Sequence, residues 1–541
     1  MLQKPISETY SQITPNHHSM FWKYRLLFPF LFLVLALLVR LPGFTESLWY
    51  DEVCYTLINL SSNSIKEMLF QDVHPFLYPL FMRGWIELFG DSEISVRLPS
   101  LLFGLTSLGV TFFLARNWFN THIAFLATLL MALSPVHIWY SQENKTNMLL
   151  LLLTVLAFYW LQRAWADNRW QHWLLFMVTA ILALWTNHFA LWGISSAFLW
   201  IWLRMLWEQG HTRLKWAVIS STLVALAYLP VVLLTLFQIN SLGRSYLRPF
   251  TISETYKLFL TYLSHGNTLR TISPYAPFGE FVNQPWGFFL IEGFFIFLLG
   301  SSLVVIGRQW LMHRKKPFAS PFLIKPGSEL LLFYLLIPPI SLLLASRIYP
   351  QIYIERSMII LLPPFMILLA CGVISFTHTR WCYIILGALL LLNSWSLFNL
   401  WGPKSETWTV YKHNADWRSV AAYFDNEITK STGKFLIING RYTPATALTY
   451  YYSRLGKSKA KEKIRSYPPH LPIIHVREYG KLIFSNFLSQ NNIKAFYLIY
   501  NRSQQEKVNS LLKNLRENYR FQLLSQTSFG NIKISKFHFL P

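Results

Sequence analysis

About eleven apolar runs, each long enough or nearly long enough to cross a bilayer, divide most of this 541-residue chain. A hydrocarbon core about 30 Å thick asks for roughly 17 to 25 apolar residues per helix. The runs occupy approximately 24–42, 98–115, 121–139, 147–162, 172–187, 189–206, 216–237, 285–307, 329–346, 357–376 and 381–399. With 53% hydrophobic and only 13% charged residues, the chain is read as a polytopic α-helical membrane protein.

Charge then sets orientation. Lys and Arg number 48 against 25 Asp and Glu, a formal charge of +23. These cations cluster in short loops between apolar runs, where they direct topology rather than bind nucleic acid, which is not expected as a partner. Beside a membrane they also favour anionic head groups and phosphate-bearing ligands. The segment Pro75–Phe89 decides every later orientation, because it is short and includes Arg83 and Glu87. If it spans, Arg116, Arg163, Arg213 and the cluster His313-Arg314-Lys315-Lys316 all fall outside; if it lies on the surface, all fall in the cytoplasm. The positive-inside rule favours the second arrangement, with an amphipathic helix on the outer face, the N-terminus inside and the C-terminus outside. The polar lead from Met1 to Met20 precedes Lys23, Arg25 and an apolar run without a cleavage site, so it reads as a retained signal anchor. Residues 1–22 are expected to be a flexible cytoplasmic N-terminus, and the location is a plasma (inner) membrane protein crossing many times.

This topology gathers the unusual polar residues on the outer face: Asp51, Glu52, Asp72, His74, Arg97, Gln142, Glu143, Lys145, His188, His265, Glu355 and Arg356. Trp49-Tyr50-Asp51-Glu52 is the most pointed of them, since paired carboxylates beside lipid are unfavourable without a role. Asp51 is the candidate general base, with Trp49 and Tyr50 placed to desolvate it and raise its pKa. Glu52 is the companion: it can bind a metal together with His74, hold Asp51 in place, or simply form a salt bridge. Asp72 before Pro75 suits a helix cap. Arg97, Lys145 and Arg356 stand at the outer ends of apolar runs, where they either meet a lipid phosphate or snorkel to the interface. His188 interrupts two apolar runs at a tight outer turn. The three cysteines, Cys54, Cys371 and Cys382, form no disulfide framework or metal spacing, and neither a P-loop nor a dinucleotide fingerprint occurs.

After Trp401-Gly402-Pro403 the long apolar runs stop. Short β-branched and aromatic stretches at Phe435–Ile438, Pro472–Val476, Ala495–Tyr500 and Ile532–Phe537 alternate with helical patterns near Trp417–Ile428, Glu478–Ser489 and Ser503–Tyr519. Residues 401–541 are therefore expected to form an extracytoplasmic soluble α/β domain. Its basic run from Arg454 to Arg465 reads as a solvated loop or a head-group contact.

The order Asp51-Glu52, His74-Pro75-Phe76-Leu77, Val96-Arg97-Leu98-Pro99-Ser100, Ser134-Pro135 through Tyr140-Ser141-Gln142-Glu143, and Arg356 before Leu361-Leu362-Pro363-Pro364 resembles the GT-C glycosyltransferases. The nearest group is the family 39 type, which includes protein O-mannosyltransferases and lipid A aminoarabinose transferases. The resemblance implies a GT-C fold over residues 23–400 and a polyprenyl-phosphate-linked sugar as donor. It further implies transfer of a hexosyl or pentosyl group to an acceptor hydroxyl on a glycolipid, polysaccharide or protein, with inversion, at a site facing the periplasm or outside. It makes Asp51 the catalytic base, Glu52 its companion and His74 part of the acceptor loop, with Arg97, Glu143, Lys145, His188 and Arg356 as substrate contacts. No cofactor is implied with certainty, and a divalent metal at Glu52 and His74 is the open option. The chain departs from the family at Phe76, where Pro is usual, at Lys145, where Arg is usual, and at Asn144, where a small residue is usual. A flippase for lipid-linked sugars is the rival reading, although transport predicts midplane charges and internal repeats that the chain does not display. An inactive scaffold presenting the tail is the third reading, and the acidic pair weighs against it.

Overall fold

The computed structural model describes residues 27–61, 64–65, 74–208, 213–242, 249–266, 285–315, 329–350, 352–376, 380–401, 416–430, 435–439, 473–475, 495–501, 520–529 and 532–540, with scattered positions such as 447, 450 and 451 between them. The N-terminal lead, Asp72, the basic run and the expected helix at 478–489 lie outside the described residues, as does most of the expected helix at 503–519.

The apolar runs become helices: α1 (Leu27–Leu38), α4 (Glu93–Trp118), α5 (Thr121–Ala132), α6 (Pro135–Ser141), α7 (Asn147–Asp167), α8 (Trp170–Thr186), α9 (Ala190–Glu208) and α10 (Leu214–Leu242), and later α12 (Pro285–Lys315), α13 (Leu330–Ile348), α14 (Leu362–Ile374) and α15 (Arg380–Trp401). Between them lie α2 (Tyr50–Ser61), α3 (Leu77–Phe89) and the short α11 (Ile252–Lys257). Local chemistry marks several ends. Ser92 accepts from the Ser95 amide to open α4, Asn120 accepts from the Ile123 amide to open α5, and Asn168 closes α7 in the left-handed region at φ 51°.

Among the described residues, six helices are long and apolar enough to cross a membrane, or seven if α5 and α6, bent by 61° at Leu133-Ser134-Pro135, count as one span. Four shorter apolar helices, Pro29–Leu38, Trp170–Thr186, Ala190–Leu206 and Phe289–Val304, fall on the remaining expected runs. The expectation of eleven full spans is thus met by length at six or seven. Pro75–Phe89 is not among the candidate spans; it yields the amphipathic α3, which buries Tyr78, Pro79, Met82 and Ile86.

In the core, α7 packs on α4 and α8, while α14 packs on α5 and α12. The stretch Glu355–Ile374 is buried almost throughout. Small residues permit the closest crossings. A Cβ added at Gly372 would meet the Leu298 carbonyl at 2.6 Å, and the Ser302 hydroxyl beside it donates across to the Leu368 carbonyl at 2.6 Å. Gly104 similarly lets α4 lie directly against Ser141 of α6.

In the C-terminal region, β1 (Phe435–Asn439), β2 (Ile473–His475), β3 (Ala495–Asn501), β4 (Phe521–Phe529) and β5 (Ile532–Phe539) form one sheet in the order β2-β1-β3-β5-β4. β1 is parallel to β2 and β3, and β5 is antiparallel to β3 and β4. Helix α16 (Trp417–Lys430) turns Trp417, Val420, Ala421 and Phe424 inward, and the Phe424 ring meets Tyr497 of β3 at 5.3 Å.

Candidate functional site

Asp51 and Glu52 occupy the first turn of α2, where unpaired backbone amides favour negative charge. Neighbouring helix positions are rotated by about 100°, so the two carboxylates leave the helix in different directions. Glu52 points into the protein and is fully buried, as is its partner Arg97. The guanidinium grips Glu52 with a two-point fork, Nε to Oε1 at 2.9 Å and Nη2 to Oε2 at 2.7 Å. Its remaining N–H groups donate to the carbonyls of Phe44 at 2.9 Å, Glu46 at 2.7 Å and Ser47 at 3.3 Å. Glu52 in turn accepts from the backbone amides of Trp49 at 3.2 Å and Asn144 at 2.9 Å. The pair therefore ties the start of α2 to three other segments: the 43–49 loop, the start of α4 and the loop before α7.

This occupancy bears on two expectations. Arg97 has its donors committed to Glu52 and to main-chain carbonyls, which leaves none for a lipid phosphate. Glu52 is likewise saturated by a guanidinium and two amides, so it does not fit a metal ligand. His74 bonds through Nδ1 to the Tyr55 hydroxyl at 2.6 Å, and among the described residues no group of three or more His, Cys, Asp or Glu could hold a metal ion.

Asp51 faces the other way and remains partly open, its side chain 26% exposed. Its Oδ2 accepts from Lys145 Nζ and from Arg356 Nη1, the latter at 3.0 Å. Lys145 lies just ahead of α7 and Arg356 in the helical turn Glu355–Leu361, which packs on α7; that contact brings both cations to one carboxylate. The Lys145 ammonium also sits 5.0 Å from the centre of the Trp49 ring. Burial alone would raise the Asp51 pKa, but Lys145 and then Arg356 override it and hold the carboxyl well below the usual carboxylate range. The expected upward tuning by Trp49 and Tyr50 is thus reversed, because two cations outweigh desolvation.

The raised carboxyl is Glu143. Burial pushes its pKa up to about 7, against the pull of Lys145 and with a push from Glu52. It is buried, and its Oε2 has no hydrogen-bond partner among the described residues. It borders a cleft together with Glu52, Trp49, Trp139 and Gln142. Asn144, next to it, donates its backbone amide to Glu52, while its side chain accepts from the Tyr78 hydroxyl at 2.9 Å and donates to Thr56 at 3.3 Å. The larger residue at this position is therefore accommodated as a link between α2 and α3. His188 meets Thr235 of α10 at 3.4 Å, and no described contact joins it to the Asp51 group.

One cluster escaped the sequence reading. Arg40 is fully buried and donates through Nη2 to His137 Nδ1 at 2.7 Å and through Nη1 to the Ala36 and Ala132 carbonyls. An arginine always donates, so His137 must accept at Nδ1 and use Nε2 toward the Ser107 hydroxyl at 3.0 Å, which passes on to the Gly104 carbonyl. Gln142 closes the unit by donating to the Arg40 carbonyl at 2.7 Å. The signal was available: Arg40 is a charge inside an apolar run, and such residues seldom lack a purpose.

Residues 73–234 match the sequence model of the family described as dolichyl-phosphate-mannose-protein mannosyltransferase. No curated protein matches the chain. Among solved structures, similar folds include ArnT from Cupriavidus metallidurans bound to undecaprenyl phosphate, at 12% identity and a TM-score of 0.49 over 94% of this chain and 98% of that one. They also include the archaeal oligosaccharyltransferase AglB from Archaeoglobus fulgidus in complex with an inhibitory peptide and a dolichol-phosphate, at 13% identity and a TM-score of 0.46 over 96% of this chain and 74% of that one. The matched segment 73–234 holds Arg97, Glu143 and Lys145, so this part of the chain is similar to the dolichyl-phosphate-mannose-protein mannosyltransferase family.

Proposed function

We propose that this protein transfers a sugar from a polyprenyl-phosphate donor to an acceptor hydroxyl on the outer face of a membrane, with inversion and with Asp51 as general base. The donor class is carried over from the family that residues 73–234 resemble, described as dolichyl-phosphate-mannose-protein mannosyltransferase. The observation that supports it best is Asp51 held between Lys145 and Arg356 at a partly open position. Two cations on one carboxylate form a ready seat for a phosphate, which carries about one more negative charge as it leaves. In the reaction the acceptor oxygen bonds to the anomeric carbon, the bond from that carbon to the phosphate oxygen breaks, and the acceptor proton passes to Asp51. A bound donor competes for Lys145 and Arg356, and every interaction it draws from Asp51 raises the basicity of that carboxylate. The base is thereby strengthened when the donor is present.

A second assignment of the base rests on Glu143, whose raised pKa and unpartnered Oε2 suit proton transfer near neutral pH. The eleven-span count, the inward N-terminus and outward C-terminus, the outward-facing site, the plasma-membrane location and the division at residues 22 and 400 belong to the same proposal; the coincidence of eleven described apolar helical units with the expected runs supports the span count.

Mass spectrometry of lipids co-purifying with Asp51→Asn and wild-type protein tests the reading. A polyprenyl-phosphate sugar enriched on the variant supports it and identifies the sugar. Normal turnover by Asp51→Asn, with transfer lost in Glu143→Gln, moves the base to Glu143. Equal loading of both proteins, with no transfer by either, favours a flippase.

A further inference from the structure

The backbone of residues 43–48, which leads directly into Asp51, is held from two sides. This segment links α1 to α2 and has few hydrogen bonds of its own, with Phe44 and Glu46 amides turning back to the Leu41 and Gly43 carbonyls. Its carbonyls at Phe44, Glu46 and Ser47 are taken by Arg97 from the membrane domain. The other groups are taken by the C-terminal region. The Tyr451 hydroxyl accepts from the amide of Leu48 at 2.6 Å, and both residues are buried. The Arg418 side chain donates to the Thr45 carbonyl at 3.3 Å and to Glu93 at 2.6 Å, and its backbone amide donates to the Ser47 hydroxyl at 3.4 Å. Tyr450 adds a bond from its hydroxyl to the Asp91 carbonyl at 2.8 Å, just before α4.

A buried amide needs a partner, and Leu48 finds its partner 403 positions away. The next amide, that of Trp49, already belongs to Glu52. Leu48 is thus the last point before the Asp51-bearing turn at which the tail can set the path of the chain. A tail serving only as a separate display module would not need to bond this loop.

We infer that the C-terminal domain is a positioning part of the transfer site, with Tyr451 as the residue that fixes the entry to α2 and so the aim of Asp51, and Arg418 as its outer brace. The inference rests on the reading of Asp51 as the reacting carboxylate. Tyr451 touches no substrate; it acts through the main chain.

The test uses the full-length protein in detergent micelles. Hydrogen–deuterium exchange of the peptide covering 43–50 is expected to quicken about tenfold in Tyr451→Phe, the effect of one lost hydrogen bond, and to keep its wild-type rate in Asp51→Asn. Sugar transfer from a membrane extract of polyprenyl-phosphate-linked sugars should drop by a similar factor in Tyr451→Phe, in kcat with donor KM unchanged. Arg418→Glu should quicken exchange, and adding Glu93→Arg should restore it. Unchanged exchange in Tyr451→Phe, quicker exchange with full transfer, or a charge swap that only adds the two losses overturns the proposal. Normal transfer by Asp51→Asn overturns the reading beneath it, and that failure is recognised because it leaves the exchange pattern of Tyr451→Phe as expected.

Discussion

Replacing Arg97 separates a frame residue from a phosphate contact. Arg97 and Glu52 are each 1% exposed in their side chains, and their two-point bridge is 2.7 Å at its shortest. Removing one partner of a buried pair leaves an uncompensated charge and typically costs about 3–5 kcal/mol. In Arg97→Met the carbonyls of Phe44, Glu46 and Ser47 also lose their donor, which pushes the loss toward the upper end of that range. The pair itself is worth far less, since replacing both charges by apolar side chains is often neutral. Thermal unfolding in micelles, followed by tryptophan fluorescence, should therefore show strong destabilisation in Arg97→Met and substantial recovery in Arg97→Met/Glu52→Leu. Binding of a polyprenyl phosphate, measured below the unfolding temperature, should persist in the double variant. A variant that melts like wild type but has lost that binding would refute the argument and return Arg97 to the phosphate.

Three further outcomes follow from the same geometry. Lys145→Ala and Arg356→Ala should each weaken polyprenyl-phosphate binding roughly tenfold to a hundredfold, the effect of one charge-assisted hydrogen bond, as read by titration calorimetry; unchanged affinity in both would remove the phosphate seat. Glu143 has a folded-state pKa of about 7 against an ordinary 4.5. The folded state then binds the extra proton, so stability should fall by about 3 kcal/mol as pH rises through that interval, and Glu143→Gln should abolish the decline and exceed wild type at alkaline pH; parallel curves for the two proteins would contradict it. Thorough chelation should leave transfer intact, because Glu52 is saturated by Arg97 and two amides; loss of activity restored by a divalent ion would show a metal site built from other residues.

Much of the helical frame was legible because a bilayer imposes one solution on apolar runs of this length: satisfy the backbone internally. The strands β1, β2, β3 and β5 were legible from β-branched and aromatic stretches. β4 was not, since Phe521–Phe529 mixes Gln, Ser and Thr on a largely exposed edge and reads as polar coil until β5 pairs with it. Lys145 and Arg356 could be nominated as outer cations, yet nothing along the chain joins positions 211 residues apart. Their meeting on Asp51 is made by the packing of Glu355–Leu361 against α7.

What the sequence by itself determined is the class of the molecule, its apolar helices, the acidic pair at Asp51 and Glu52 and the cations available to it, because periodicity, hydropathy and residue chemistry are local properties. Only the tertiary structure decided which acid is locked and which is open. Adjacent positions on one helix turn point to different surroundings, so Glu52 meets Arg97 in the core while Asp51 faces Lys145 and Arg356. It also decided the pKa order, since desolvation and neighbouring charge act through distance in space: two cations hold the Asp51 carboxyl below the usual carboxylate range, and burial pushes that of Glu143 up toward neutrality.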